Sequence, residues 1–212
     1  MMLYAAGSVC DISVRAEKLC GLTWSGQSLW YADADLEQVV CVDPYTAEVL
    51  NTIACPQLRC GLATLNGNLV YAAGRDNRLV TVSPATGERV AEARNPRPGQ
   101  RLSAMEGARN GVWLAFGDML DLRGTGGFEL VTCLDMAGSI SGVAVTDRYL
   151  VCADRTEESI TIVDPVLEQV ILPINVHGSP TGLAWDGCHI WYCDSAANRL
   201  RAIDVPGLVR SL

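Results

Sequence analysis

The chain has no cluster of lysines or arginines. Sixteen basic residues stand against twenty-four acidic ones, for a net charge of −8. A nucleic-acid or membrane-surface partner is therefore not expected, because neither anionic surface would attract this protein. No run of about 18 apolar residues occurs, so no membrane-spanning helix is expected. The opening residues, MMLYAAGSVCDISVRAEK, lack a basic n-region and hold only a short apolar run. They read as a strand rather than a secretory leader. There are two histidines and no Cys-x-x-Cys pair, so no metal site is expected. No Ser-His-Asp motif, phosphate-cradling glycine loop or dinucleotide fingerprint is present, and no cofactor is expected. Sustained 3.6-residue periodicity is also missing, which leaves almost no helix.

Nine cysteines, an odd number, are spread along the chain. Buried thiols in a reducing compartment account for that pattern, so a cytoplasmic, monomeric protein is expected. Hydrophobic residues make up 49% of the 212 and charged ones 19%, which suits one domain rich in buried strand.

A sentence of about forty residues recurs through the chain. It reads CGLTWSGQSLWYADADLEQVVCVDP from Cys20 and TGLAWDGCHIWYCDSAANRLRAID from Thr181. Copies also start at Cys60, Leu102 and Ser141. Each copy reads as four short strands, in the first Cys20–Trp24, Ser28–Ala32, Gln38–Val42 and Val49–Cys55, separated by Gly, Asp and Pro turns. The last copy has only three strands, and Val9–Val14 matches the missing fourth. The expectation is all-β: a five-bladed β-propeller of four-stranded blades, its ring closed by the N-terminal strand. The blades fall at about 20–59, 60–101, 102–140, 141–180 and 181–212 with 1–19. Met1–Ala6 or Val209–Leu212 is left over as an extra strand or a loose end. An up-and-down sandwich would have no reason to repeat.

The phrases GLAWDG, LWYADA, DPYTAE and SPATGE resemble the blade consensus of a large propeller group. It includes NHL and YVTN repeats, the gluconolactonase-like family, virginiamycin B lyase and the glutamine cyclotransferases, the last five-bladed. The resemblance covers all five copies and implies a ligand site at one mouth of the central channel. It also implies that the residue before the Gly-Leu of each first strand points into that mouth. Gluconolactonase relatives place metal-binding Glu, Asn and Asp there, and glutamine cyclotransferases Gln or Glu. Here the positions hold Cys20, Cys60, Leu102, Ser141 and Thr181. No carboxylate is among them, so neither chemistry is inherited.

Cys20 and Cys60 hold equivalent places, with Arg59 before Cys60 and Arg101 in the matching place of the next blade. A cation beside a thiol favours thiolate, a nucleophile, and the two guanidiniums could grip an anion bidentately. The alternative is packed thiols and solvated arginines. His177, on the loop into the fifth blade, is the histidine on the mouth side and a candidate for proton transfer, as the resemblance to virginiamycin B lyase would also want. Glu106 stands where other copies have Trp24, Thr64, Val145 and Trp185. Burial there would make it a candidate acid or base. Asp33, Asp154 and Asp194 recur at the ends of second strands. They read as turn caps that also ring the mouth, with Arg75 and Arg155 nearby.

Two functions follow. One is a small-molecule enzyme of lyase, cyclase, lactone-hydrolase or isomerase type, with His177, Cys20, Cys60 and Glu106 catalytic. Its ligand, a small organic molecule with an anion as one option, would meet Arg59, Arg101, Ser141, Thr181, Asp33 and Asp194. The other is a non-catalytic propeller that binds a ligand or a protein, which short loops favour.

Overall fold

The structure, a computed structural model, describes residues 4–5 and 7–205, and every regular element among them is a strand. A short strand, β1 (Tyr4–Ala5), is followed by β2 (Ser8–Ser13). The first blade is β3 (Leu19–Ser25), β4 (Ser28–Asp33), β5 (Gln38–Val42) and β6 (Val49–Ala54). The second is β7 (Leu58–Leu65), β8 (Asn68–Ala73), β9 (Arg78–Val82) and β10 (Arg89–Ala93). The third is β11 (Ala104–Ala108), β12 (Gly111–Phe116), β13 (Met119–Arg123) and β14 (Leu130–Asp135). The fourth is β15 (Gly142–Val145), β16 (Leu150–Asp154), β17 (Ser159–Asp164) and β18 (Gln169–Asn175). β19 (Pro180–Trp185), β20 (Ile190–Asp194) and β21 (Arg199–Ile203) begin the fifth, and β2 completes it by antiparallel pairing with β21. The five-bladed propeller and its closure by the N-terminal strand are as the repeat predicts.

β1 pairs in parallel with β18 and gives the fourth blade a fifth strand. Among the described residues, Tyr4–Ala5 of the first leftover segment thus joins a sheet; Val209–Leu212 lies outside the described residues.

No blade has a core of its own. The buried apolar residues form five clusters, one at each seam between neighbouring blades. Trp30, Val39 and Ile53 of the first blade, for example, pack on Leu62, Leu69 and Tyr71 of the second. This is the physical content of the repeat: each sheet needs its neighbours to bury its faces. Trp30, Trp113 and Trp191 all sit in seams.

At the axis the five inner strands approach closely. A Cβ on Gly182 would lie 2.6 Å from the Leu22 nitrogen, and one on Gly21 would lie 2.7 Å from the Gly61 carbonyl carbon. Only glycine permits that contact. This collar leaves no room for a water molecule on the axis, so the channel is closed here rather than open from end to end.

Every outer strand carries a β-bulge, and the five bulged residues are equivalent: Val9, Leu50, Val90, Val131 and Ile171. All five are exposed. A bulge breaks the hydrogen-bonding row that a free edge would offer to a second sheet.

Candidate ligand site at the propeller mouth

The connectors between blades and the loops between second and third strands meet on one side of the ring. A cavity of about 410 Å³ opens there, lined from all five blades. Its lining includes Cys20, Cys60, Ser141 and Thr181, together with Glu17, Lys18, Arg59, Arg101 and Arg155. A second cavity of about 770 Å³ lies beside it, between the second and third blades. Lys18, Arg59 and Arg101 belong to both, and Arg75, Arg94 and Asp76 line the second alone.

The column Cys20, Cys60, Leu102, Ser141 and Thr181 does a different job from the one expected. The Cys60 thiol donates to the Leu102 carbonyl at 2.7 Å, the Ser141 hydroxyl faces the Pro180 carbonyl at 2.7 Å, and Thr181 Oγ1 donates to the Leu19 carbonyl at 3.2 Å. Each of these contacts crosses from one blade to the next. Leu102 is fully buried in the seam core. The hydroxyl hydrogens of Ser141 and Thr181 are therefore committed, and an anion needs donors. Ser141 and Thr181 thus serve as ring ties, and both also line the mouth cavity.

Burial governs the two thiols at the mouth. Burial pushes Cys60 up to about 12, and the lowering by Arg101 and Lys18 is the smaller effect. Burial raises Cys20 well above its ordinary value, with Cys60 and Cys193 adding to it. Burial thus disfavours the thiolate at both positions, the direction that the packed-thiol alternative requires.

Glu106 lines neither cavity. Its Oε1 accepts from Thr23 Oγ1 at 3.1 Å and from the Gly107 N–H at 2.9 Å, while Oε2 has no partner. Burial raises its carboxyl well above the ordinary range, as the sequence suggests, but the group is sealed from the mouth. His177 is exposed, lines neither cavity, and takes part through its carbonyl, which accepts from the Tyr192 hydroxyl at 3.1 Å. Asp33 and Asp194 are buried turn caps. Asp33 accepts from four backbone N–H groups, those of Glu17, Lys18, Asp35 and Leu36. Asp194 accepts from those of Ser179 and Ala196 and pairs with Arg201 at 3.1 Å. Neither lines the cavities, and both hold the loops that surround them.

What remains is cationic. Among the described residues, Arg59, Arg75, Arg94, Arg101 and Arg155 form no ion pair. Arg59 and Arg101 are where the sequence places them. Lys18 and Arg94 went unrecognised in the sequence, because they stand on connectors that have no counterpart in the repeated sentence.

The connector of residues 94–103 is the longest between blades. The Asn95 side chain staples it, accepting from the Arg97 N–H at 2.9 Å and donating to the Gln100 carbonyl at 2.8 Å. Arg97 then reaches into the third blade and holds Asp121 through two hydrogen bonds of 2.8 Å, with its guanidinium over the Phe116 ring. Arg123 holds the same carboxylate from the other side. Burial alone would raise Asp121, but these bonds outweigh it and bring the carboxyl down to about 2. Arg94 and Arg101 thus stand on a rigid loop.

Neither a protein-family model nor a curated protein matches the sequence. Solved structures do match in shape. The glutaminyl cyclase of Myxococcus xanthus aligns with a TM-score of 0.78 at 15% identity, over 94% of this chain and 95% of that one. The Cps50 (Swd1) β-propeller domain of Myceliophteria thermophila aligns with a TM-score of 0.59 at 10% identity, over 94% and 99%. Virginiamycin B lyase from Staphylococcus aureus aligns with a TM-score of 0.55 at 12% identity, over 88% and 66%. At such identities the likeness is one of fold, and it joins two propellers named as enzymes to one named only as a domain.

Proposed function

We propose that this propeller captures a small organic anion at its mouth. The observation that carries the reading is the group of unpaired arginines, Arg59, Arg101 and Arg155, around one cavity of a chain whose net charge is −8. Like charges gathered in a cleft repel one another, and in an acidic protein carboxylates to neutralise them are plentiful. The three guanidiniums are exposed, so solvent screens much of that repulsion, and an anionic ligand would remove the rest. Arg is also the side chain whose planar fork fits a carboxylate or phosphate.

The test is calorimetric titration with acetate and with inorganic phosphate at fixed ionic strength, on wild type and on Arg101→Gln/Arg155→Gln. Saturable binding that falls about tenfold or more in the variant is expected, since a charge-assisted hydrogen bond carries roughly 1.5–3 kcal/mol. Equal binding by the two proteins would remove the reading.

An enzyme of lyase, cyclase, lactone-hydrolase or isomerase type is the second reading, supported by the likeness to two enzyme propellers. Glu17 is the carboxylate that lines the mouth cavity, and it would have to move the proton. Turnover of any substrate should then fall at least 100-fold in Glu17→Gln with little change in KM.

A further inference from the structure

We propose that the second cavity, between the second and third blades, is a diphosphate subsite, and that the ligand is a small phosphorylated molecule spanning both cavities. This rests on the reading of the mouth as an anion site and extends it. The two cavities lie side by side and share Lys18, Arg59 and Arg101 in their walls. The second adds Arg75 and Arg94, exposed and unpaired among the described residues. The acid that lines it, Asp76, pairs with Arg78 at 3.3 Å, and Arg78 lies outside the lining. One carboxylate is satisfied by one guanidinium fork, and four unpaired guanidiniums, beside a Lys18 that pairs with Asp35 at 3.7 Å, exceed that need. Two phosphates, with several charges and many acceptor oxygens, match it.

Size agrees, since about 770 Å³ is in the range of cavities that enclose a small molecule. So does preorganisation. Arg94 and Arg101 flank a connector stapled by Asn95 and anchored through Arg97 to Asp121. Little ordering is therefore left for the ligand to impose. A nucleic acid is disfavoured because the protein carries a net charge of −8.

Inorganic pyrophosphate, inorganic phosphate and acetate are the probes, titrated by calorimetry at constant ionic strength into wild type and Arg75→Gln/Arg94→Gln. Thermal melting of both proteins serves as the folding control, and neither residue carries a structural contact of the propeller. Pyrophosphate is expected to bind wild type at least tenfold more tightly than phosphate. The double variant should lose that advantage while keeping acetate binding within about threefold. If pyrophosphate has no advantage in wild type, or keeps it in the variant, the subsite is refuted while acetate binding still supports the mouth. If none of the three binds, or binding disappears with modest chloride as diffuse charge attraction would, both readings fail.

Discussion

Glu106 has one carboxylate oxygen bonded and the other unpartnered in a closed interior, so holding its proton is easier than holding its charge. The unfolded carboxyl releases its proton near 4.5 and the folded one well above that. The native state is therefore most stable below the lower value and loses stability as pH rises through the upper one. Glu106→Gln keeps the side chain neutral, and any penalty from its amide is the same at every pH. Denaturant unfolding at pH 5, 7 and 9 should show the variant gaining on wild type as pH rises, and a constant difference would refute this. The thiols give a second residue-scale outcome. At pH 8 a thiol reagent should label the exposed Cys188 first, and reach the buried Cys60 and Cys193 only on unfolding. Labelling of Cys60 in the folded state at the rate of Cys188 would restore it as a reactive group. The sequence made Cys20, Cys60, Ser141 and Thr181 conspicuous because the copies differ there. The structure explains most of the variety: at Cys60, Ser141 and Thr181 a thiol or a hydroxyl ties one inner strand to the next, whereas the Cys20 thiol faces the Ala32 carbonyl of its own blade. Charge proved more legible, since Arg59 and Arg101 are recognisable by register alone.

Among the elements, the connector of residues 94–103 supplies half the lining of the second cavity and is anchored by one ion-paired carboxylate. Asp121→Asn would leave Arg123 buried without its counter-charge and should cost about 3 kcal/mol in urea unfolding. The Asp121 contribution is complete above its unfolded value of 3.8 and is lost as pH falls towards about 2. Arg97→Ala touches no ligand in this arrangement. It should nevertheless weaken pyrophosphate binding severalfold, with the loss appearing as a less favourable entropy because a loosened loop must be ordered again. Full binding with an unchanged entropy would show that the connector needs no anchor. The element was hard to read in advance. Asn95-Pro96-Arg97-Pro98-Gly99-Gln100 announces a loop by its composition, but nothing local says that Arg97 turns inward to a strand of the next blade. By contrast the strands themselves were legible within a residue or two, because alternation and turn residues are local signals. The bulges were not, since an exposed Leu50 or Ile171 reads as a strand residue until its partner strand is known.

For the whole molecule, the forty-residue period was enough to give five blades and their closure, because a seam core demands the next copy. The closed collar was not foreseen. The glycines were visible, but that a Cβ on them would fall 2.6–2.7 Å from a neighbour's backbone depends on how five strands converge. Gly182→Ala should therefore lower the melting temperature by several degrees although the residue is remote from any edge, because the contact is with backbone that cannot yield. A melting point unchanged from wild type would mean that the collar is looser than described. The closure itself carries a consequence for how the molecule is made. β2 leaves the ribosome early and has no partner in its own blade until β21 follows, roughly 190 residues later. At about 5–20 residues per second, that is a wait of roughly 10–40 seconds. During that time the fifth blade is absent and the first blade has one bare face. The nascent chain is then an open arc with two unsealed ends, so the period of greatest exposure to chaperones, and of greatest risk of joining a neighbouring chain, is set by translation speed.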